Sequence, residues 1–270
     1  MPTSRSYLAS GGFVAFAHRG GSKERPENTL ASFGAAVELG YRYLETDTQI
    51  TRDGVLLAFH DETLDRVTDL HGPVSALTLE EVRRGDAGYH FTQDQGRTHP
   101  YRGRGITVPT LEEVLLAFPS TRFNIDAKSA EVLVPLASLI DRLGVAGRIC
   151  IGSFSDRRLG RFRRLTGGRV ATSMGRRAII AARLTSVVAG RMRAFGADCV
   201  QVPTSQWGVR VLDPAFVRAA HRQGLQVHVW TIDDRPAMER ILDLGVDGIM
   251  TDRPTLLRDV LEARGRWERT

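Results

Sequence analysis

Apolar and polar positions along the chain follow two rhythms. Short runs rich in Val, Ile, Leu and Phe fall at 13–18, 43–50, 122–127, 148–153, 170–174, 198–203, 226–232 and 247–251. Runs of this length bounded by turn residues predict buried strands. Between them, apolar residues recur three and four apart at 28–39, 110–118, 130–143, 155–166, 176–195, 213–223 and 234–244, with a last such stretch at 254–264. That is the spacing of amphipathic helices. Eight strand–helix units in 270 residues predict one α/β domain spanning 1–270, a (β/α)8 TIM barrel. A doubly wound open sheet is the competitor, disfavoured because no glycine fingerprint follows the first strand.

Local signals mark the helix ends. Asn28 is placed to cap the first helix, Ser155 and Asp156 the one after strand four, and Asp213 the one that opens on Pro214. Gly40, Gly144, Gly224 and Gly245 each follow an apolar-periodic run, as C-terminal caps do. The alternation breaks once. Thr51-Arg52-Asp53-Gly54 is a tight-turn sequence between apolar flanks, predicting a hairpin that extends strand two and brings His60 back opposite Glu45 and Asp47. Residues 61–109 then form a long excursion with one short helix near 78–84, expected to be an inserted cap over a substrate.

Composition adds limits. A chain that is 42% hydrophobic and 25% charged is ordinary globular protein. Cys150 and Cys199 lie in strand-like runs without a CxxC neighbour, which predicts buried reduced thiols. The net charge of +6 raises the question of nucleic acid. The arginines that carry it are scattered without interleaved aromatics, so solvated faces and no nucleic-acid partner are expected. Arginines from 176 to 193 alternate with Ile179, Ile180, Leu184 and Met192, a pattern suited either to contact with an anionic membrane surface or to an outer barrel helix. No stretch approaches the ~18 apolar residues of a membrane span, and the N-terminus lacks a leader-like apolar run, so a soluble cytoplasmic protein is expected.

In a barrel the loops after the strands form the active face. His18 and Arg19 end strand one, Glu45 and Asp47 strand two, Asp126 and Lys128 strand three, Trp230 strand seven, and Thr251 and Asp252 strand eight. Glu45 and Asp47 are two apart, so both point to one side and can share a cation. Oxygen ligands without cysteine favour Ca2+ or Mg2+ over zinc. His18 and His60 supply a general acid and a general base, with the assignment between them open. Arg19 and Lys128 suit the non-bridging oxygens of a phosphate. Trp230 either plugs the barrel mouth or meets substrate. Together these groups suit metal-assisted chemistry on a phosphate ester.

The motifs, taken in order, resemble the glycerophosphodiester phosphodiesterase family. HRG and PENT (18–20 and 26–29) are followed by ETD and the run to HD (45–61), LDRVT (64–68) and LTLEEV (77–82). Then come VPTLEEVL (108–115), FNIDAK (123–128), the SF of 153–154, VHVWTI (227–232) and VDGIMTDRP (246–254). The resemblance implies a barrel with a small insertion after strand two, a divalent cation, and hydrolysis of a glycerophosphodiester to sn-glycerol 3-phosphate and an alcohol. It implies Glu45 and Asp47 as metal ligands, His18 and His60 as the acid–base pair, and Arg19 and Lys128 on the phosphate. The third carboxylate ligand falls at Asp126, where the family usually carries Glu; one methylene fewer sets the carboxylate back by about 1.5 Å. Glu27 lies beside the site in PENT. Two rivals remain: a lysophospholipase D, served by an apolar channel beside the insertion and the basic 176–195 stretch, and a non-catalytic phosphate-binding barrel.

Overall fold

The computed structural model describes residues 6–9, 12–188, 192–206 and 208–267. Its strands are β1 (Val14–His18), β2 (Tyr43–Ile50), β3 (Leu56–Ala58), β4 (Arg122–Ala127), β5 (Ile149–Gly152), β6 (Ala171–Thr172), β7 (Cys199–Val202), β8 (Ser205–Gln206), β9 (Val209–Arg210), β10 (Gln226–Val229) and β11 (Gly248–Thr251). Eight of them run parallel in the order β6-β5-β4-β2-β1-β11-β10-β7. A parallel bridge from Ser173 to Cys199 joins the two ends and completes the ring. The helices α1 (Leu30–Glu38), α2 (Leu79–Val82), α3 (Leu111–Ala117), α4 (Leu133–Leu143), α5 (Asp156–Thr166), α6 (Arg176–Val188), α7 (Pro214–His221), α8 (Arg235–Asp243) and α9 (Pro254–Ala263) fall between strands, α2 inside the excursion. This is the predicted TIM barrel.

Alternation along each strand divides two cores. Ala15, Ala17, Leu44, Ile149, Ile151, Val200, Val202, Val227 and Ile249 pack outward into the layer shared with the helices. Their neighbours Val14, Phe16, Tyr43, Cys150, Cys199 and Met250 form a second cluster inside the ring. Tyr7 closes the lower end of that cluster, fully buried, its carbonyl accepting a 2.9 Å hydrogen bond from the Tyr43 hydroxyl. Filling the lower barrel leaves only the upper rim open, where polar side chains replace apolar ones along the same inward rows.

The sequence and the structure part at three places. Thr29, not Asn28, caps α1, in a box with Ser32; Asn28 sits at φ 55°, which frees its side chain for the site. The stretch predicted helical over 176–195 is helical to Val188, and 192–195 are not helical; residues 189–191 lie outside the described residues. A small antiparallel hairpin, β8–β9, intervenes before α7 where none was expected. As predicted, β2 and β3 pair antiparallel, and the register that joins Phe59 N to Asp47 O brings His60 level with Thr46, between Glu45 and Asp47.

Residues 61–109 carry their own small apolar cluster with β3, built from Leu57, Phe59, Leu64, Val74, Val82, Ala87 and Val108. Capping boxes at Thr78–Glu81 and Thr110–Glu113 set the helices on either side of the segment's end. The segment bonds to the loop after β1: Arg25 donates to the Tyr101 hydroxyl, and Gln93 to the carbonyl of Lys23.

Candidate active site

The loop after β1 is held in a tight form. Arg19 has φ 52°, in the left-handed region that non-glycine residues seldom adopt. Gly20 has φ 80°, and a Cβ there would lie 2.7 Å from Ser32 Cβ. This packing aims the backbone N–H of Arg19 at Glu45 Oε2 (3.2 Å) and its guanidinium at Glu27 Oε1 (3.1 Å). Arg19 Nε lies 3.1 Å from Asp47 Oδ2 but off-line, making an ion pair rather than a hydrogen bond.

Glu45 and Asp47 stand on the inner face of β2, 4% and 2% exposed. Parallel pairing sets Glu45 beside Asn124 and Asp47 beside Asp126. The Lys128 ammonium bridges the two aspartates, 2.6 Å from Asp47 Oδ1 and 2.7 Å from Asp126 Oδ2. Asn28 donates to Asp47 Oδ2 at 3.2 Å and accepts from Thr46 Oγ1 at 2.8 Å, so the strand fixes both ends of that amide.

Each candidate histidine has a carboxylate on Nδ1. His18 Nδ1 is 2.6 Å from Asp252 Oδ1, just after β11, and His18 Nε2 is 3.6 Å from Glu45 Oε2. His60 Nδ1 pairs with Asp61. Asp61 in turn accepts from Arg66, and Arg66 holds Glu27 by two bonds of 2.6 and 2.7 Å. Glu27 therefore links Arg19 to Arg66, which ties the loop after β1 to the start of the 61–109 segment. Asp61, Arg66 and Asn28 were not read as site residues in the sequence, and Asp252 was placed on the rim without a role. Asp61 and Arg66 do stand in the HD and LDRVT motifs, and Asp252 stands at a strand end.

Charge is unevenly balanced here. Burial by itself would lower the His18 pKa, but Glu45 and the bond to Asp252 raise it to about 9. Burial and the neighbouring Asp47 raise Glu45 to about 7. Asp47, although buried, is drawn down to about 2 by Lys128 and Arg19. Among the described residues no group of three or more His, Cys, Asp or Glu is arranged to hold a metal ion, and Asp126 is engaged by Lys128. The remaining donor set is a buried pair of carboxylates on one strand face, with the protonation of Glu45 favoured by burial and by the charge of Asp47. Such a pair fits a hard cation that completes its coordination with water and substrate oxygens.

These groups form one end of a cavity of about 520 Å3 lined by His18, Arg19, Glu45, Asp47, His60, Asp126, Lys128 and Trp230. Among the described residues none from 61–109 lines it. The other end is apolar, with Phe154, Met174, Ile179, Ile180, Leu184, Val209 and Val211, supplied by β6, α6 and the β8–β9 hairpin. Trp230 stands between the two ends, its ring edge-on to Phe154 with centroids 5.9 Å apart.

Comparison with known proteins gives the family and the fold. Residues 18–256 match the model of the glycerophosphoryl diester phosphodiesterase family. A probable glycerophosphodiester phosphodiesterase 2 from Mycobacterium tuberculosis is 42% identical, covering 97% of this chain and 96% of its own. A glycerophosphodiester phosphodiesterase from Agrobacterium tumefaciens superposes with a TM-score of 0.74 at 27% identity, over 91% of this chain and 98% of that one. An Oleispira antarctica phosphodiesterase, solved in complex with the product sn-glycerol-3-phosphate, shares the fold at a TM-score of 0.75 and 22% identity, over 92% and 96% of the two chains.

Proposed function

The chain belongs to the glycerophosphoryl diester phosphodiesterase family, and from that premise we propose that its catalytic pair is His18 and His60, with Glu45 and Asp47 the ligands of a divalent cation. It is a hydrolase that takes a glycerophosphodiester and water to sn-glycerol 3-phosphate and an alcohol. Enzymes of this family generally depend on divalent metal. Ca2+ or Mg2+ on the Glu45–Asp47 pair would supply positive charge to the phosphate oxygens as negative charge builds on them. Asp126 acts by holding Lys128, whose ammonium, with the Arg19 guanidinium, faces the non-bridging oxygens.

The observation that carries this reading is the paired environment of the two imidazoles around one cavity. Asp252 and Glu45 keep His18 protonated at neutral pH, so His18 gives its proton to the departing alkoxide. Asp61 takes the Nδ1 proton of His60 as a hydrogen bond, which leaves Nε2 free to accept a proton from the attacking oxygen. Glu27 positions Arg19 and Arg66 rather than meeting substrate.

His18→Ala and His60→Ala should each lower kcat on glycerophosphocholine by about 10²- to 10⁴-fold. Release of glycerol 3-phosphate measures this, and wild-type turnover in either variant rejects the assignment. The apolar end of the cavity favours a second reading of the substrate, a lysophospholipid whose acyl chain lies along Phe154, Ile180 and Val211. Catalytic efficiency that rises with acyl length supports it; efficiency greatest on glycerophosphocholine rejects it.

A further inference from the structure

We propose that the face formed by the start of α5, by α6 and by the β8–β9 hairpin docks on an anionic lipid membrane and brings the cavity mouth against the bilayer. The stretch of chain that builds α5 and α6 is strongly basic. Between Arg157 and Ala197 lie eleven arginines and not one aspartate or glutamate. The rest of the chain holds 26 basic and 31 acidic residues, a net charge of −5. The arginines are therefore not spread evenly along the chain, and three of those in this stretch, Arg157, Arg176 and Arg177, are exposed at the helix starts on the proposed face.

Apolar residues stand out from the same sector. Leu184 and Val209 are each 62% exposed, Phe154 52% and Ile180 47%, and all four line the cavity mouth. Arg177, Ile180 and Leu184 are three and four apart on α6 and all exposed, so a single helix face presents a cation and two aliphatic side chains. The Arg176 guanidinium lies 5.3 Å over the Phe154 ring. Exposed arginines at 157 and 210 complete the rim. Bulky aliphatic groups among arginines suit the interface of a membrane, where the former enter the acyl boundary and the latter meet phosphate. A nucleic-acid groove would instead call for aromatic platforms or a polar, basic surface. The N–H groups at the start of α6 are already taken by Asp156, which bonds to Arg177 N at 2.9 Å and Ala178 N at 3.1 Å. The ligand is thus a charged surface and not a single anion at a helix end. The inference draws on the proposed function only in taking the cavity as catalytic; docking itself does not require turnover.

The test is co-sedimentation of the full chain with vesicles of phosphatidylcholine alone or mixed with phosphatidylglycerol, at low and high salt. Binding should require phosphatidylglycerol and weaken with salt. At about 1 kcal/mol per basic residue near the surface, Arg177→Glu with Arg210→Glu should weaken it about thirtyfold or more. That variant should hydrolyse soluble glycerophosphocholine at the wild-type rate, which shows that it is folded. Equal wild-type binding to both vesicle types, binding indifferent to salt, or wild-type binding by the double variant overturns the proposal. So does tighter retention on a DNA duplex than on the anionic vesicles. The salt and lipid dependence of the unaltered protein tests the proposal without any substitution. Vesicle binding with no hydrolysis of any glycerophosphodiester would reject the catalytic reading and leave docking standing.

Discussion

His18 draws its partners from opposite ends of the chain: Glu45 on the next strand and Asp252, 234 residues further on. Asp252→Asn removes a carboxylate that raises the His18 pKa, so the alkaline limb of the kcat profile should move to lower pH with the acidic limb less affected. A pH–rate series in both proteins checks this. The same electrostatics govern the stability of the metal-free protein. The folded-state pKa of His18 is about 9 against an ordinary 6.5, so its stabilisation is complete below about pH 6.5 and lost as pH rises through 9. Glu45, raised to about 7 from 4.5, is a buried acid whose ionisation costs stability, beginning above 4.5 and complete above 7. Protein in chelator should therefore lose Tm steadily from about pH 5 to 9. Added Ca2+ or Mg2+ should flatten the part below pH 7, as read by thermal unfolding. His18, Glu45 and Asp47 were legible in the sequence because strand ends mark the rim. Asp252 was legible as a rim residue but not as the partner of His18, since only ring closure brings β11 beside β1. Asn28 was not legible, since a left-handed backbone there turned an expected helix cap into a partner of Asp47.

Individual elements are constrained where backbones pass closely. Gly248 on β11 leaves space that His228 and β1 fill; a Cβ there would lie 2.6 Å from the Val14 carbonyl oxygen and 3.0 Å from His228 Cδ2. Gly248→Ala should lower stability by about 1–3 kcal/mol, the usual penalty for overpacking, measured as a fall in Tm. At the rim, Arg66 joins the 61–109 segment to the loop after β1 through Glu27 and Asp61. Arg66→Ala should lower kcat about tenfold or more with little change in Tm, since supports of this kind act on orientation. The strands and most helix limits followed from apolar period and caps, as at Ser155, Asp213 and Gly144. The β8–β9 hairpin did not: two-residue strands with exposed side chains leave no period to read.

Across the molecule, a closed ring sets polar chemistry at one end of the cavity and an apolar wall at the other. The proposed catalytic groups come from β1, β2, β4 and the returning hairpin, whereas the wall comes from the end of β6, α6 and β8–β9, on the opposite arc of the ring from β1. The apolar wall lies away from the insertion, and 61–109 packs against the loop after β1. Among the described residues no helix is long and apolar enough to cross a membrane. Charge distribution was present in the sequence yet hidden by its total, since +6 averages a basic sector with an acidic remainder. The chemistry at the polar end is tested most directly by glycerol 3-phosphate release from glycerophosphocholine in EDTA, followed by addition of Ca2+ or Mg2+, for wild type, Glu45→Gln and Asp47→Asn. Wild-type activity should vanish in EDTA and return with the cation, while neither variant recovers. Undiminished turnover in EDTA, or full recovery in both variants, would contradict a cation held by this pair.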